Sequence, residues 1–275
     1  MIDLKTSNKI PGALLQDIKE YGCAVFPSLS TQEGPKGQTL IITDNPDTVL
    51  YAKASDAACI AYEDPLRPLP FANTDLIIQD LDCLTLTLLI RTCQRHYHIP
   101  WRIAKTHRLS IRESVPQDFE ALYAIYQTPG ICDYIPGMTG EREVERASFL
   151  SYIRTMYPFY GYGLWTLVES LSGRVIGRAG LQNGSFRGKP VLEAGYLIGG
   201  SWQNRGYATE AMQGVLKYAI RELEEETIYA FINPRNSPSI AVAKKLHMER
   251  IEENCWRYDG RKSMELNTPP STGIY

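Results

Sequence analysis

The chain has 275 residues, which is long for one domain, because a single hydrophobic core usually stops growing near about 250 residues. Its apolar fraction of 44% and charged fraction of 22% are typical of a globular protein and exclude a disordered or fibrous class. The formal net charge of -2 gives no broad attraction for nucleic acid or anionic lipid, so we expect neither nucleic-acid nor membrane partners.

The cysteines show no Cys-x-x-Cys pair and no metal-ligand spacing, so we predict no metal site and mostly reduced, buried thiols. They are Cys23, Cys59, Cys83, Cys93, Cys132 and Cys255. The most apolar stretch, residues 75–93, is broken by Asp80, Asp82 and Arg91 and cannot be a membrane span. The first residues lack the apolar core of a signal peptide, and we expect a cytoplasmic location.

Strands and helices alternate in the first hundred residues. An apolar run at 39–44 ends in Asn45-Pro46, and proline is well suited to open a helix. The predicted strands are 39–44, 59–62 and 75–79, and the predicted helices are 47–58 and 81–97. This alternation predicts a small α/β module made of βαβ units with a parallel sheet.

A second domain is predicted after a linker at 98–107, because a new strand pattern starts at Arg108. We place the boundary near residue 105, which gives domains at 1–105 and 106–275. Phe119, Leu122 and Tyr126 lie at helical spacing behind the first strand.

The rest of the second domain is predicted to be a meander of strands that leads into a helix. A helix at 141–157 comes before strands at 164–168, 175–179 and 191–198, a helix at 208–223, a strand at 227–232 and a helix at 237–246. Strand-like runs at 250–253 and 263–267 follow.

The segment 203–208, Gln-Asn-Arg-Gly-Tyr-Ala, joins the end of a strand to the start of a helix. Backbone N–H groups at such a helix start have no internal partner and suit an anion. Gly206 lets the backbone approach a ligand closely, and Arg205 adds a positive charge. The loop therefore suits a diphosphate group.

This loop resembles the GNAT superfamily of N-acetyltransferases, whose signature after the fourth strand is Gln/Arg-x-x-Gly-x-Gly/Ala. The run 202–211, Trp-x-x-x-Gly-Tyr-Ala-Thr-Glu-Ala, is similar to the branch that includes ribosomal-protein alanine acetyltransferases, and the order of elements from 109 to about 268 follows the family. The resemblance implies an α/β fold with a mixed, mostly antiparallel sheet flanked by helices. It also implies acetyl-CoA as cosubstrate, bound by Gln203, Asn204, Arg205, Gly206, Tyr207, Ala208 and Thr209.

Residues 233–248 look like the family segment Asn-x-x-Ser/Ala followed by Lys-Leu-Gly-Phe. The resemblance places Asn236 and Ser239 near the pantetheine arm of the cofactor. Asn236 alternatively caps the helix that follows, and both roles are compatible. His247-Met248 stands where Gly-Phe is usual, so we expect this helix to close differently.

Amide formation from a thioester needs a deprotonated amine, a polarised carbonyl and a proton for the leaving thiolate. The resemblance makes Glu193 the candidate general base, with a solvent-facing strand residue as the alternative and ordered water as the base in many relatives. It makes the backbone N–H of Leu197 or Ile198 the candidate for carbonyl polarisation.

The general acid of some relatives is a tyrosine in the last long helix, where this chain has Ala243. Ser239 and Tyr258 are the substitutes, each with a binding or structural role as the alternative. We therefore predict Glu193 and Ser239 as the catalytic residues. The aromatic segment 158–163 is predicted to be a loop that lines the acceptor pocket or packs in the core.

The run 39–50 is similar to the late strand-turn-helix of haloacid-dehalogenase-like phosphatases. Asp80 and Asp82 are spaced like the nucleophile motif of that family but follow the late motif instead of preceding it. They are better explained as residues that cap and begin a helix. We predict a non-catalytic module, with phosphatase activity that depends on Asp44 as the alternative.

The predicted function is transfer of an acetyl group from acetyl-CoA to a primary amine by direct attack in a ternary complex. The acceptor is a small-molecule amine or a protein N-terminus, and a homodimer is a possible assembly. The alternative is a catalytically silent acyl-CoA sensor, suggested by the missing tyrosine acid and by His247-Met248.

Overall fold

The computed structural model describes residues 2–3, 10–21, 38–72, 74–138 and 140–261. The chain divides into two compact units, Met1–Trp101 and Arg102–Tyr275. Cys23 and the predicted strand at 263–267 lie outside the described residues. No helix in the described ranges is long and apolar enough to cross a membrane.

The first unit contains a four-stranded sheet whose strands are all parallel and lie side by side in chain order. The strands are β1 (Ile2–Asp3), β2 (Leu40–Thr43), β3 (Ala58–Tyr62) and β4 (Leu76–Ile78), and the helices are α1 (Gly12–Glu20), α2 (Pro46–Ala54) and α3 (Leu86–His96). Side chains alternate along a strand, so Ile42 and Ile60 pack with α1 and α3, whereas Ile41 and Cys59 pack with α2. The predicted parallel α/β module is confirmed.

The helix predicted at 81–97 is interrupted near its start. Leu81–Cys83 forms one short turn, and α3 begins only after Thr85, whose Oγ1 accepts a hydrogen bond from Leu88 N at 3.1 Å. Asp80 caps the short turn, because its carboxylate accepts from Asp82 N at 2.9 Å. Helix α1 was missed because Pro11 and Gly12, at its start, are typical turn residues.

The second unit contains an eight-stranded sheet in the order β11-β12-β10-β9-β8-β7-β6-β5. The strands are β5 (Arg102–Lys105), β6 (Leu109–Arg112), β7 (Leu164–Glu169), β8 (Val175–Phe186), β9 (Lys189–Ile198), β10 (Thr227–Phe231), β11 (Glu249–Arg250) and β12 (Cys255–Asp259). Only β9 and β10 pair in parallel among these strands. The predicted mixed, mostly antiparallel sheet is confirmed.

Helices cover both faces of this sheet. They are α4 (Phe119–Tyr126), α5 (Arg142–Tyr160), α6 (Tyr207–Glu222) and α7 (Ser237–Lys245). The buried face of α6, including Ala211 and Val215, shares the main core with Ala179 and Leu181 of β8. Arg178 alternates with these residues and stacks against rings of α5, which therefore lies on the opposite face.

Three local predictions for this unit were wrong. The expected linker at 98–107 contains β5, which pairs with β6. Strand β8 does not end at Ala179 but continues to a tight turn, where Arg187 and Gly188 have φ values of 52° and 75°, as a two-residue hairpin requires. The segment 158–163 is not all loop, because α5 continues through Pro158 to Tyr160 and is closed by Gly161, with φ of 72°.

Candidate functional site

Strands β9 and β10 separate soon after they meet. Their parallel ladder consists of one residue pair in the described sheet, Glu193 opposite Tyr229. Beyond this pair β9 continues to Ile198 with β8 as its neighbour on one side, while β10 ends at Phe231. An opening therefore lies between the C-terminal half of β9 and the end of β10.

The register of β9 decides which backbone groups face this opening. Gly199 N donates to Ile176 O at 2.8 Å, and the two strands remain in register through the pair Leu197 and Arg178. In an antiparallel ladder, alternate residues point their N–H groups to the same neighbour. The N–H of Leu197 is therefore directed at β8, whereas the N–H groups of Tyr196 and Ile198 are directed at the opening.

A loop leads from β9 to α6 in an unusual backbone conformation. Asn204 and Gly206 have φ values of 59° and 80°, in the left-handed region that glycine adopts most easily. Gln203 ties the loop to the strand, since its Nε2 donates to Ile198 O at 2.9 Å. The side chain of Gln203 thus braces the loop, a use that the sequence did not reveal.

Among the described residues, no side chain caps the start of α6. Gly206 is the residue before the helix, and the first intrahelical hydrogen bond in this turn runs from Glu210 N to Gly206 O at 3.1 Å. The N–H groups of Tyr207, Ala208 and Thr209 therefore have no acceptor within the helix. Free amides at a positive helix end, with Arg205 beside them, form a site suited to a phosphate group.

Glu193 lies where β9 and β10 are still paired. Its side chain is half-buried beside β8. Its Oε2 lies close to Gly184, 3.1 Å from the position that a Cβ would take if this residue had one. Burial raises the pKa of Glu193 above its usual value, and a hydrogen bond with Gln182 partly opposes this effect. A carboxylate with a raised pKa is a better proton acceptor near neutral pH, as a general base requires.

Ser239 meets a tyrosine that sequence reasoning missed. The hydroxyl of Tyr196 donates to Ser239 Oγ at 3.0 Å and so links β9 to the first turn of α7. Burial raises the pKa of Tyr196, and the bond to Ser239 lowers it in part. Tyr258 instead lies on β12, opposite Ile228 of β10.

The segment around α7 shows how the departures from the family pattern are accommodated. Asn236 Oδ1 accepts from Ser239 N at 3.1 Å and caps the helix. Ala243 is buried in the core. His247 adopts φ of 57°, and Met248 N donates to Ala243 O at 3.0 Å, which is the ordinary Schellman closure. The expectation that this helix would close differently is wrong.

A family model and two relatives match about half of the chain. The sequence model of the acetyltransferase (GNAT) domain family matches residues 108–249, just over half of the chain. An uncharacterised N-acetyltransferase of Bacillus subtilis, YnaD, is 29% identical over 146 residues, which are 53% of this chain and 81% of that protein. A second protein of Bacillus subtilis, the uncharacterised YkkB, is 26% identical over 144 residues, which are 52% of this chain and 83% of that protein.

Solved structures of acetyltransferases are also similar to this chain. A GNAT-family acetyltransferase from Bacillus anthracis is 23% identical with a TM-score of 0.48, covering 57% of this chain and 98% of that one. RimJ of Mycobacterium smegmatis, solved with CoA-disulfide, is 19% identical with a TM-score of 0.45, covering 56% of this chain and 83% of that one. The GNAT family model matches more than half of this chain. The chain therefore belongs to the GNAT acetyltransferase family and is an acyltransferase.

Proposed function

We propose that the second unit transfers an acetyl group from acetyl-CoA to a primary amine, either on a small molecule or at a protein N-terminus. The observation that carries this proposal is the opening beside β9, which leads directly into the uncapped start of α6. An extended thioester arm fits the opening, and a diphosphate suits the free amides at its end. Membership of the GNAT family supports acetyl-CoA as the molecule that occupies both the opening and the site at the free amides.

In this proposal the cofactor contacts come from three segments of the chain. Residues 204–209 hold the diphosphate through backbone N–H groups, with Arg205 as the added cation and Gln203 as the brace. Leu197 fixes the strand through its ladder with β8, and the N–H of Ile198 polarises the acetyl carbonyl. Among the described residues no acceptor is assigned to the amide NH2 of Asn236, and in this proposal the NH2 binds the pantetheine arm while Oδ1 caps α7.

The proposed reaction is a direct attack of the amine nitrogen on the thioester carbon, which breaks the bond from carbon to sulfur. Glu193, directly or through a water molecule, accepts the proton that the amine loses. The leaving thiolate takes a proton from the hydroxyl of Ser239, which takes one in turn from the hydroxyl of Tyr196 along their hydrogen bond. This hydroxyl pair provides an acid in the absence of a tyrosine at position 243.

A screen for released CoA thiol tests the proposal. The protein is incubated with acetyl-CoA and a panel of peptides, polyamines and aminoglycosides, and we expect thiol release that depends on one class of amine. Thermal stabilisation by acetyl-CoA with no release across the panel would instead support a silent acyl-CoA sensor. If the protein shows neither thermal stabilisation by acetyl-CoA nor thiol release, the proposed cofactor is refuted.

For the first unit we propose a role without catalysis, because its polar turn residues are used to begin helices. Asn45 Oδ1 accepts from Asp47 N at 3.1 Å, and Asp80 caps the turn that follows β4. Hydrolysis of a generic phosphoester that requires magnesium and disappears in Asp44→Asn would contradict this proposal.

A further inference from the structure

Arg108 lies in the turn between β5 and β6 but contacts the beginning of α6, about a hundred residues later in the chain. Its backbone N donates to Glu210 Oε1 at 2.7 Å, and its Nε donates to Glu210 Oε2 at 2.7 Å. Its Nη1 donates to Arg205 O at 2.9 Å, and the guanidinium stacks on the ring of Tyr207 at 4.3 Å from the ring centre. These contacts fix the plane of the guanidinium.

The remaining nitrogen of this guanidinium is directed at the loop. A Cβ added to Gly206 would lie 3.4 Å from Arg108 Nη2. Within the described part of the chain, no hydrogen-bond acceptor is assigned to Nη2, and the side chain is 35% exposed. A fixed, charged donor thus stands next to the free amides that begin α6.

The guanidinium groups of Arg108 and Arg205 both lie near this end of the helix, and Glu210 forms an ion pair with Arg108. Burial raises the pKa of Glu210, but hydrogen bonds from Thr106 and Arg108 outweigh this effect and leave the pKa below its usual value. Glu210 is therefore ionised at neutral pH and neutralises one guanidinium. Among the described residues, no carboxylate lies within ion-pair distance of Arg205. Positive charge at the positive end of a helix dipole is unfavourable unless an anion balances it.

We propose that Arg108 is a binding residue of the cofactor site and donates from Nη2 to a phosphate group of CoA. Glu210 acts as its positioning residue, because it holds the guanidinium through both carboxylate oxygens. This inference rests on the proposed cofactor but not on the proposed acetyl transfer. CoA carries phosphate in two places, the diphosphate and the 3′-phosphate, and both have the chemistry that a guanidinium recognises.

Calorimetric titration of the full chain with CoA and with 3′-dephospho-CoA tests the proposal. We expect Arg108→Met to weaken CoA binding roughly ten- to a hundredfold, the usual effect of removing a hydrogen bond between charged groups. Equal losses for the two ligands would assign the contact to the diphosphate, and a loss for CoA alone would assign it to the 3′-phosphate. Arg174→Met removes an exposed arginine from the β7–β8 turn and should leave both affinities unchanged.

A purely structural role for Arg108 gives a different result. An ion pair with phosphate makes the Kd depend on salt, so the plot of log Kd against log salt should be shallower for Arg108→Met than for the wild type. Arg108→Lys keeps the charge but lacks the paired N–H donors of the guanidinium, so it should retain the salt dependence with intermediate affinity. This variant is the one to measure if Arg108→Met does not fold. Unchanged CoA affinity in folded Arg108→Met, or weaker binding with an unchanged salt dependence, would overturn the proposal. If the wild type does not bind CoA, the proposed cofactor falls together with this inference.

Discussion

Two strand-turn-helix segments of this protein differ in how they satisfy the first amides of the helix. At the start of α2, Asn45 Oδ1 accepts from Asp47 N, and Pro46 has no N–H to satisfy. At the start of α6, Gly206 offers no side chain, and the first amides of the helix have no acceptor within it. The first helix start is completed by its own chain, whereas the second one has amides without a helical acceptor, where we propose that an anion binds.

The difference teaches where to look for function when two segments have the same order of elements. A capped helix start uses its polar groups for stability, and mutation there should affect unfolding. An uncapped start with oriented amides keeps its polar groups for a ligand, and mutation there should affect binding. The predictions below test this distinction in order of decreasing effect.

Gly206→Glu should give the largest change. The carboxylate would stand where the diphosphate is proposed to bind, and we expect CoA affinity to fall by at least about a hundredfold, as expected for a like charge in a phosphate site. Isothermal titration measures the loss. Gly206→Ala is the matched control, because it shares the backbone strain at φ of 80° without the charge. Equal CoA affinity for wild type and a folded Gly206→Glu variant would refute the assignment of this loop.

Glu193→Gln should separate chemistry from binding. We expect turnover to fall about a hundredfold or more, the usual contribution of a general base, with little change in the Kd for CoA. A base works only when it is deprotonated, so the activity of the wild type should be lost as pH falls through the pKa of Glu193. Because burial raises this pKa, the loss should occur above the pH range of an ordinary glutamate. Turnover that is the same in both proteins at every pH would exclude Glu193 as the base.

Asn236→Ala should reduce both the stability of the protein and its affinity for the cofactor, because Asn236 caps α7 and is also a proposed pantetheine contact. Loss of the cap on α7 should lower the free energy of unfolding by about 1 kcal/mol. Loss of the proposed contact should weaken acetyl-CoA binding about fivefold, the value of one ordinary hydrogen bond. Denaturant unfolding and titration measure the two effects, and a change in stability alone would remove Asn236 from the cofactor site.

Asn45→Ala should give the smallest change and affect the first unit alone. We expect the free energy of unfolding of this unit to fall by about 1 kcal/mol, because the Asp47 amide loses its acceptor. CoA affinity should stay the same. Asn45→Asp keeps an acceptor at the same place and should restore the stability. A change in CoA affinity in Asn45→Ala would break the distinction between the two helix starts.

The sequence predicted those parts of the molecule whose pattern is local. The loop before α6 was predictable because Gly206 stands between a strand pattern and an amphipathic helix. Strand β5 was not, because it is a short, partly exposed edge strand whose apolar pattern covers only two residues. The full length of β8 was hidden by Gly184, since glycine within a strand pattern usually indicates a turn or a bulge.

The contacts that define the candidate site could not be predicted from local sequence patterns. Tyr196 and Ser239 are 43 residues apart, and Arg108 and Glu210 are 102 residues apart. Such pairs become visible only when the sheet order brings β9 next to α7 and the turn after β5 next to α6. Leu197 and Ile198 were equivalent candidates in sequence, and the register with β8 is what distinguishes them.

The single residue pair between β9 and β10 has a consequence for the stability of the protein. In the described structure, Glu193 opposite Tyr229 is the one residue pair at which β10, β11 and β12 are joined to the rest of the sheet. A ligand in the opening would act as a missing strand, and its binding free energy would add to the free energy of unfolding. If the proposed cofactor binds there, the number of destabilising mutations that these three strands can accumulate would depend on the concentration of acetyl-CoA in the cell.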